Sequence, residues 1–332
     1  MSYEPQVISL GKPGPAAPRT GAGAARPQIA VLVPCYNEER TIESVIRAFH
    51  ESLPDALIFV YDNNSSDRTA ELAAKAGAIV RNETRQGKGN VVRRMFADVD
   101  ADIYVLVDGD DTYDAAVAPE LVDRMIRQRL DFVNGARVEA SPGVYRTGHR
   151  FGNRLISGVV QAIFGRDFSD MLSGYKIFSR RFVQSFPSMS RGFEIETEFT
   201  IHALELQMPC AEIYTAYRER PAGSASKLRT LPDGIRIAWL ILRLVKDERP
   251  LAFFTLLGAL CVVASLALGI PLVREFVDTG LVPKLPSAVL AASLMVLGAL
   301  NLTAGLILDL ITKTRREVKR LAYLSVRLPQ WM

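Results

Sequence analysis

The chain has 332 residues, is 48% hydrophobic and 23% charged, and carries a formal net charge of +4 with a mean hydropathy of +0.12. A disordered chain, which combines low hydrophobicity with high net charge, is excluded, and a positive mean hydropathy argues against an all-soluble enzyme. Cys35, Cys210 and Cys261 form no CxxC pair, so neither a disulfide scaffold nor a cysteine zinc site is indicated.

Residues 1–28 are rich in Gly, Pro and Ala and contain no apolar stretch of the signal-peptide kind, so a disordered tail is expected. From Ile29 the pattern alternates. Apolar runs at Ile29–Val33, Leu57–Tyr61, Ala78–Arg81 and Ile103–Val107 read as buried strands. Between them, Thr41–Leu53, Asp67–Ala76 and Lys88–Val99 have helical spacing. Such βα units predict a parallel sheet with helices on both faces, and ligands then bind outside the carboxyl ends of the strands.

The loops at those ends are polar. The first, Pro34-Cys35-Tyr36-Asn37-Glu38-Glu39, begins where Pro34 stops the strand ladder. Tyr36, Asn37 and Glu38 offer one aromatic face and two polar groups, suited to a nucleobase and ribose. The second is Asp62-Asn63-Asn64-Ser65-Ser66-Asp67, where Ser65, Ser66 or Asp67 also serves as a helix cap and Asp62 stands before the cap. The third is Asp108-Gly109-Asp110-Asp111. Three acidic loops on one edge repel one another unless a cation sits between them, and a divalent metal carrying a phosphate meets that need. In an extended stretch Asp108 and Asp110 project to the same side, as two hard oxygen ligands for Mg²⁺ or Mn²⁺; the plain alternative is a hydrophilic turn. Gln86-Gly87-Lys88-Gly89-Asn90 opens a helix, where Lys88 is a candidate phosphate contact, although the Walker A spacing is missing.

Further along, Leu228–Val245 repeats apolar residues at helical spacing and reads as an amphipathic helix lying on an anionic leaflet within residues 227–249; an ordinary amphipathic core helix is the alternative. Pro250–Val273 and Leu285–Leu308 are then free of charged residues. Each reaches roughly 36 Å as a helix, against a hydrocarbon core of about 30 Å, and so predicts a transmembrane hairpin of spans 250–273 and 285–309. Asp309 stands at the end of the second span, within reach of water or Lys313. Residues 227–249 hold six basic and three acidic side chains, and residues 313–332 six and one, while the connecting loop has only Arg274 and Lys284. Both flanks are therefore expected on the cytoplasmic side, with 312–332 as a basic tail. Residues 1–226 hold 26 basic and 29 acidic side chains, so the basic balance is not a nucleic-acid footprint.

These loops together resemble the family 2 glycosyltransferases of GT-A fold. The resemblance rests on Pro34–Glu38, Asp62–Thr69 and Asp108-Gly109-Asp110, and covers roughly residues 29–230. Downstream, Gly135-Ala136-Arg137, Asn153, Asp170–Lys176 and Tyr217–Lys227 are similar to the dolichyl-phosphate mannose synthase and bacterial GtrB-type branch, some members of which also carry two C-terminal spans. The resemblance implies a Rossmann-like, mostly parallel catalytic domain over 29–226. It implies inverting transfer of a sugar from a nucleotide diphosphate sugar to a polyprenyl phosphate at the cytoplasmic face of the inner membrane. Pro34, Tyr36, Asn37, Glu38, Asp62, Asn63, Lys88 and Asp108 would hold the nucleotide, and Asp108 and Asp110 the Mg²⁺ or Mn²⁺. Two positions depart from the pattern. Asn63 replaces a second aspartate, which leaves uracil and guanine both open. Thr112 stands where relatives often carry Gln, which leaves the third metal ligand open, with Asp111 as a rival.

A phosphate acceptor is already mostly ionised at pH 7 and needs no general base, so positioning and charge neutralisation should carry the reaction. Arg137, Arg154, Arg218, Arg220 and Lys227 are the candidate cations for that phosphate. Asp110, Arg137 and Arg220 form the expected catalytic set. Asp170, Ser173 and Gly174 would shape the sugar and acceptor side, with Glu196 and Glu198 as candidates to bind sugar hydroxyls or the loop around Ser173; His149 and His202 read as structural. A homo-oligomer is compatible with the sequence. The rival readings are a processive polysaccharide synthase, for which no Gln/Arg/Trp-type acceptor motif is present upstream of the spans, and a non-catalytic membrane scaffold, against which Asp108 and Asp110 speak.

Overall fold

The computed structural model describes residues 7–8, 26–139, 157–163, 168–190, 192, 194–218 and 242–327. They fall into two units, one formed by residues 1–235 with 319–332 and the other by residues 236–318. In the first, strands β1 (Val7–Ile8), β2 (Ile29–Cys35), β3 (Leu57–Asp62), β4 (Ile79–Asn82), β5 (Ile103–Leu106), β6 (Phe132–Glu139), β7 (Lys176–Ser179) and β8 (Cys210–Tyr217) make one sheet in the order β1-β8-β6-β7-β5-β2-β3-β4. Helices α1 (Ile42–Ser52), α2 (Thr69–Lys75), α3 (Lys88–Asp98), α4 (Ala118–Gln128), α5 (Arg180–Ser185) and α6 (Ile195–Glu205) connect and flank it. The four strands and three helices predicted up to Val107 are present, with ends shifted by up to two residues. Within the tail expected to be disordered, Val7–Ile8 instead pair antiparallel with Ile213 and Glu212.

The sheet is mixed. β2 runs parallel to β3 and β5, β3 to β4, and β6 to β8, whereas β7 is antiparallel to both β5 and β6. The carboxyl ends of β2, β3, β4, β5, β6 and β8 therefore share one edge. Because β7 runs the other way, the segment that enters it, Asp170–Tyr175, arrives at that same edge.

Strand alternation divides the core. Val31, Val33, Val105, Val133 and Ile177 face a cluster completed by Ile42, Ile46 and Phe49 of α1 and Leu121 and Met125 of α4. The opposite face is aromatic: Phe132 and Phe178 pack with Phe96, Phe182, Phe186 and Phe199 at centroid distances of 4.7–6.2 Å. His202 closes that cluster, edge-on to Phe182 and Phe186, with Nε2 3.0 Å from Ser185 Oγ. At its border Asp131, fully buried, accepts bonds from Ser179 Oγ (2.6 Å), Arg181 (2.7 Å) and the Tyr323 hydroxyl (2.7 Å). Lys319 pairs with Glu205 at 2.5 Å, Arg320 donates to the Leu206 carbonyl, and Arg181 lies over the Tyr323 ring.

The second unit is built on α7 (Pro250–Thr279) and α8 (Leu285–Ser325, whose last residues belong to the first unit), both long and apolar enough to cross a membrane. They run antiparallel: Ser265 Oγ donates to the Ala291 carbonyl at 2.7 Å, and a Cβ on Gly258 would lie 2.9 Å from the Gly298 carbonyl oxygen. This backbone approach has no room for a larger residue. The predicted spans ended at residues 273 and 309, but a helix needs no apolarity beyond the bilayer, and both continue into polar sequence. Residues 312–325, expected as a separate tail, are thus helical. Arg315 and Arg316 bind Glu248 at 3.0 and 2.9 Å, and Lys313 binds Asp309 at 2.8 Å. Of the segment expected to be an amphipathic helix, residues 242–248 are helical, and residues 227–241 lie outside the described residues.

Burial, with a smaller contribution from Lys319, lowers the His202 pKa to about 3 and keeps the ring uncharged. Below its unfolded value of about 6.5 the unfolded chain binds a proton that the folded chain refuses, so His202 costs stability progressively as pH falls from there. His202→Phe should therefore flatten the fall of the thermal midpoint between pH 7 and pH 5 in detergent, relative to the wild type.

Candidate active site

The loop after β2 and the loop after β3 are tied to each other. Asn37, at φ 54°, donates its backbone N–H to Ser65 Oγ at 2.9 Å and accepts from Ser66 N at 2.8 Å. Glu38 N donates to Thr69 Oγ1 at 2.8 Å, and Asp67 Oδ1 accepts from Thr69 N at 3.0 Å, although the N-cap position of α2 is Arg68 and not Ser65, Ser66 or Asp67 as expected. Pro34 does not stop the ladder as expected: it stands opposite Tyr61, pairing continues to Cys35 opposite Asp62, and Tyr36 is exposed at the rim. Asp62 is buried: Oδ2 accepts from Ser65 N at 3.1 Å, while Oδ1 has no partner among the described residues. A buried carboxylate oxygen in that state calls for a donor from beyond the described residues. Asn63, in contrast, uses its amide internally. Nδ2 donates to the carbonyls of Glu83 and Arg85, both at 2.8 Å, and Oδ1 accepts from Gly87 N at 2.7 Å. It shapes the 83–87 loop, so the departure at this position leaves the choice of base to other groups.

The Asp108–Asp110 stretch is a turn after β5, so strand alternation does not aim its two carboxylates. Asp110 is buried, with Oδ1 accepting from the Thr112 N–H (3.3 Å) and hydroxyl (2.6 Å). Thr112 thus orients Asp110. Asp111, at φ 58°, accepts from Ser44 Oγ on α1 at 2.9 Å. Among the described residues no cluster of three or more His, Cys, Asp or Glu could hold a metal alone. Asp108 and Asp110 are a hard oxygen pair that fits Mg²⁺ or Mn²⁺ when a diphosphate completes the shell.

Lys88, the first residue of α3, was expected to touch phosphate. Its side chain is instead buried, with Nζ 2.5 Å from Asp108 Oδ1 and 2.6 Å from Glu196 Oε1. Burial disfavours the ammonium, but the two carboxylates outweigh it and raise its pKa. Glu196 thus binds a lysine, and Glu198 accepts from Met189 N and Ser190 N, both at 3.0 Å, so it braces that turn rather than the loop around Ser173.

Arg137, at the end of β6, is held by Asp170: Nε to Oδ2 at 2.6 Å, a terminal nitrogen to Oδ1 at 2.7 Å, and the backbone N–H to Oδ2 at 3.0 Å. Burial opposes the charge on Asp170, yet the guanidinium holds its pKa below the usual carboxylate value. The guanidinium also lies 5.5 Å from the centre of the Tyr217 ring. Ser173 is fully buried and donates to the Gly135 carbonyl at 2.5 Å, a structural bond within the sheet edge. Arg218 is exposed and pairs with Asp114 at 3.3 Å. Arg154, Arg220 and Lys227 lie outside the described residues, as do Asn153 and His149.

Sequence reasoning missed a buried row beneath the Asp170 loop. Glu212, Asn134 and Lys176 are in register across β8, β6 and β7. Glu212 accepts from Asn134 Nδ2, Ser169 N and Ser169 Oγ at 2.7–2.8 Å, and Asn134 Nδ2 also donates to the Asp170 carbonyl at 2.8 Å. Lys176 donates to Asn134 Oδ1 at 2.6 Å, and burial lowers its pKa to about 8. The signal was partial: each is a polar side chain beside an apolar neighbour that faces the core, Glu212 next to Ile213, Asn134 next to Val133 and Lys176 next to Ile177.

Gly174 explains the close approach of the Asp170–Tyr175 segment to Asp108. A Cβ there would lie 2.1 Å from Asp108 Oδ2. Gly174→Ala should displace that carboxylate and lower turnover roughly a hundredfold, the scale of an ångström of misplacement. The thermal midpoint should stay close to that of the wild type, measured beside the turnover assay.

Residues 30–186 match the family described as glycosyl transferase family 2. The chain is 33% identical over 300 residues to glycosyltransferase AglJ of Haloferax volcanii, covering 90% of this chain and 98% of that one. It is 28% identical over 221 residues to a dolichyl-phosphate hexose transferase of the same organism, covering 67% and 95%. Its fold is similar to that of Mycobacterium tuberculosis glucosyl-3-phosphoglycerate synthase solved with Mn²⁺, UDP and glucosyl-3-phosphoglycerate, with TM-score 0.53, 24% identity, and coverage of 66% of this chain and 79% of that one. The chain belongs to glycosyl transferase family 2 and is a glycosyltransferase of GT-A fold.

Proposed function

We propose that this enzyme transfers a sugar, with inversion, from a uridine diphosphate sugar to a polyprenyl phosphate at the cytoplasmic face of the inner membrane. The observation that carries the reading is the state of the carboxylates at the sheet edge. Asp108 and Glu196 are paired with Lys88, and Asp170 is paired with Arg137. The Arg137 guanidinium holds Asp170 below the usual carboxylate pKa, which makes it a poor proton acceptor, and a phosphate nucleophile needs none. The relative whose printed name is dolichyl-phosphate hexose transferase supports the acceptor class, and the two apolar C-terminal helices support a membrane anchor. Lysine and arginine gathered on both flanks of those helices support a multi-pass topology with the active site on the cytoplasmic side.

In this reading the unpartnered Asp62 Oδ1 accepts from the ring N–H of the base, with Tyr36 at the rim beside it. Uracil presents one such N–H to a single oxygen. Guanine would present two neighbouring donors, and Asp62 Oδ2 is already occupied by Ser65 N. The printed ligands of glucosyl-3-phosphoglycerate synthase, UDP with Mn²⁺, agree with that choice. A divalent metal held by Asp108 and Asp110 would neutralise the leaving diphosphate. Arg137, fixed by Asp170, is the cation for the acceptor phosphate, with Arg220 and Lys227 as its expected companions. The acceptor oxygen attacks the anomeric carbon from the face opposite the diphosphate, so the linkage inverts and no proton is transferred.

Asp110→Asn should abolish metal-dependent transfer from UDP-sugars in detergent while the protein still inserts and folds; turnover near that of the wild type would overturn the metal assignment. Arg137→Ala should raise the KM for polyprenyl phosphate at least tenfold while UDP affinity changes little. Removal of one partner from a buried pair costs about 3–5 kcal/mol, so Arg137→Ala with Asp170→Asn is the companion that separates acceptor binding from that penalty. Parallel assays with GDP-sugars should give no product; turnover with them would overturn the choice of base.

A further inference from the structure

The Lys88 ammonium lies where a cation for Asp108 is required, and it belongs to the chain itself. Lys88, Asp108 and Glu196 form one continuous ion triad, and the Lys88 and Glu196 side chains are nine-tenths or more buried. Gly174 packs against the other oxygen of Asp108, so that carboxylate is hemmed in on both sides. Counting these four described side chains alone, one lysine set against Asp108, Glu196 and neighbouring Asp110 leaves two negative charges, the charge that one divalent cation would cancel. Without Lys88 the same carboxylates would carry three, and without Glu196 only one. Two cations that share Asp108 repel each other strongly where water is excluded, and any pull on the ammonium from Glu196 weakens that repulsion.

We propose that Lys88 is a resident counter-cation that competes with the divalent metal for Asp108, and that Glu196 sets how strongly it competes. The proposal rests on the assignment of Asp108 and Asp110 as metal ligands. Lys88 and Glu196 are then positioning residues that tune metal affinity, and neither touches the transferred sugar. The competition keeps the metal weakly held until a diphosphate arrives to complete its shell.

The test is Mn²⁺ binding to the full-length protein in detergent, read from the loss of the free Mn²⁺ EPR signal, with and without UDP. Lys88→Met should bind Mn²⁺ about tenfold more tightly in the absence of UDP, equivalent to about 1.4 kcal/mol. Glu196→Gln should bind it several-fold more weakly, and the double variant should fall between the two. A merely structural role for the triad would loosen Mn²⁺ in both single variants, and that result would overturn the proposal. If Lys88→Met does not fold, Glu196→Gln decides alone: weaker Mn²⁺ binding at an unchanged thermal midpoint supports the proposal, and unchanged binding overturns it. If the wild type takes up no Mn²⁺ with or without UDP, the metal assignment fails and takes the proposal with it. If the wild type binds Mn²⁺ and Lys88→Met binds no tighter, the proposal alone fails.

Discussion

Burying like charges at one sheet edge requires buried opposite charges, and the cleft is organised by two of them. Lys88 holds Asp108 to Glu196, and Arg137 holds Asp170. Each pair joins parts far apart in sequence: the start of α3 to the β5 turn and to α6, and the end of β6 to the segment that enters β7. A salt bridge at a solvated surface would be worth little. Here water is largely excluded, and loss of one partner strands the other, so the pairs fix geometry even where their net stabilisation is small.

The row of Glu212, Asn134 and Lys176 works one layer below. It satisfies the backbone of the Ser169–Asp170 turn and so fixes where Asp170 can stand. Arg137 inherits its position from that turn. Orientation of the Arg137 guanidinium is thereby set by the sheet interior, where neighbouring strands hold each residue in register, rather than by a loop.

The first half of the sheet was legible because each strand is a short, continuous apolar run followed by a polar loop, as at Ile29–Val33 before Pro34. The acidic loops could be read for the same reason. The antiparallel β7 was not legible, since an apolar run of four residues gives no direction. The pairings were hidden as well. Lys88 looked like a phosphate contact because its helix N-terminus is visible in sequence, whereas Glu196, 108 residues away, is not visible as its partner. Glu198 was grouped with Glu196 by spacing alone, yet its bonds go to Met189 and Ser190. Thr112, and Asp111 as its rival, could not be told apart by their contacts from sequence. In the structure Thr112 bonds Asp110, whereas Asp111 accepts from Ser44.

Asp131 carries a consequence for how the protein is made. One of its bonds comes from Tyr323, 192 residues later in the chain, and Lys319 likewise completes Glu205. The first apolar helix and the apolar part of the second lie between these partners in sequence. During synthesis the sheet can form early, but these two carboxylates wait for groups that are translated only with the last turns of the second helix. Final consolidation of the larger unit is thus placed after the step at which both helices have left the ribosome, which couples completion of its fold to completion of the hairpin.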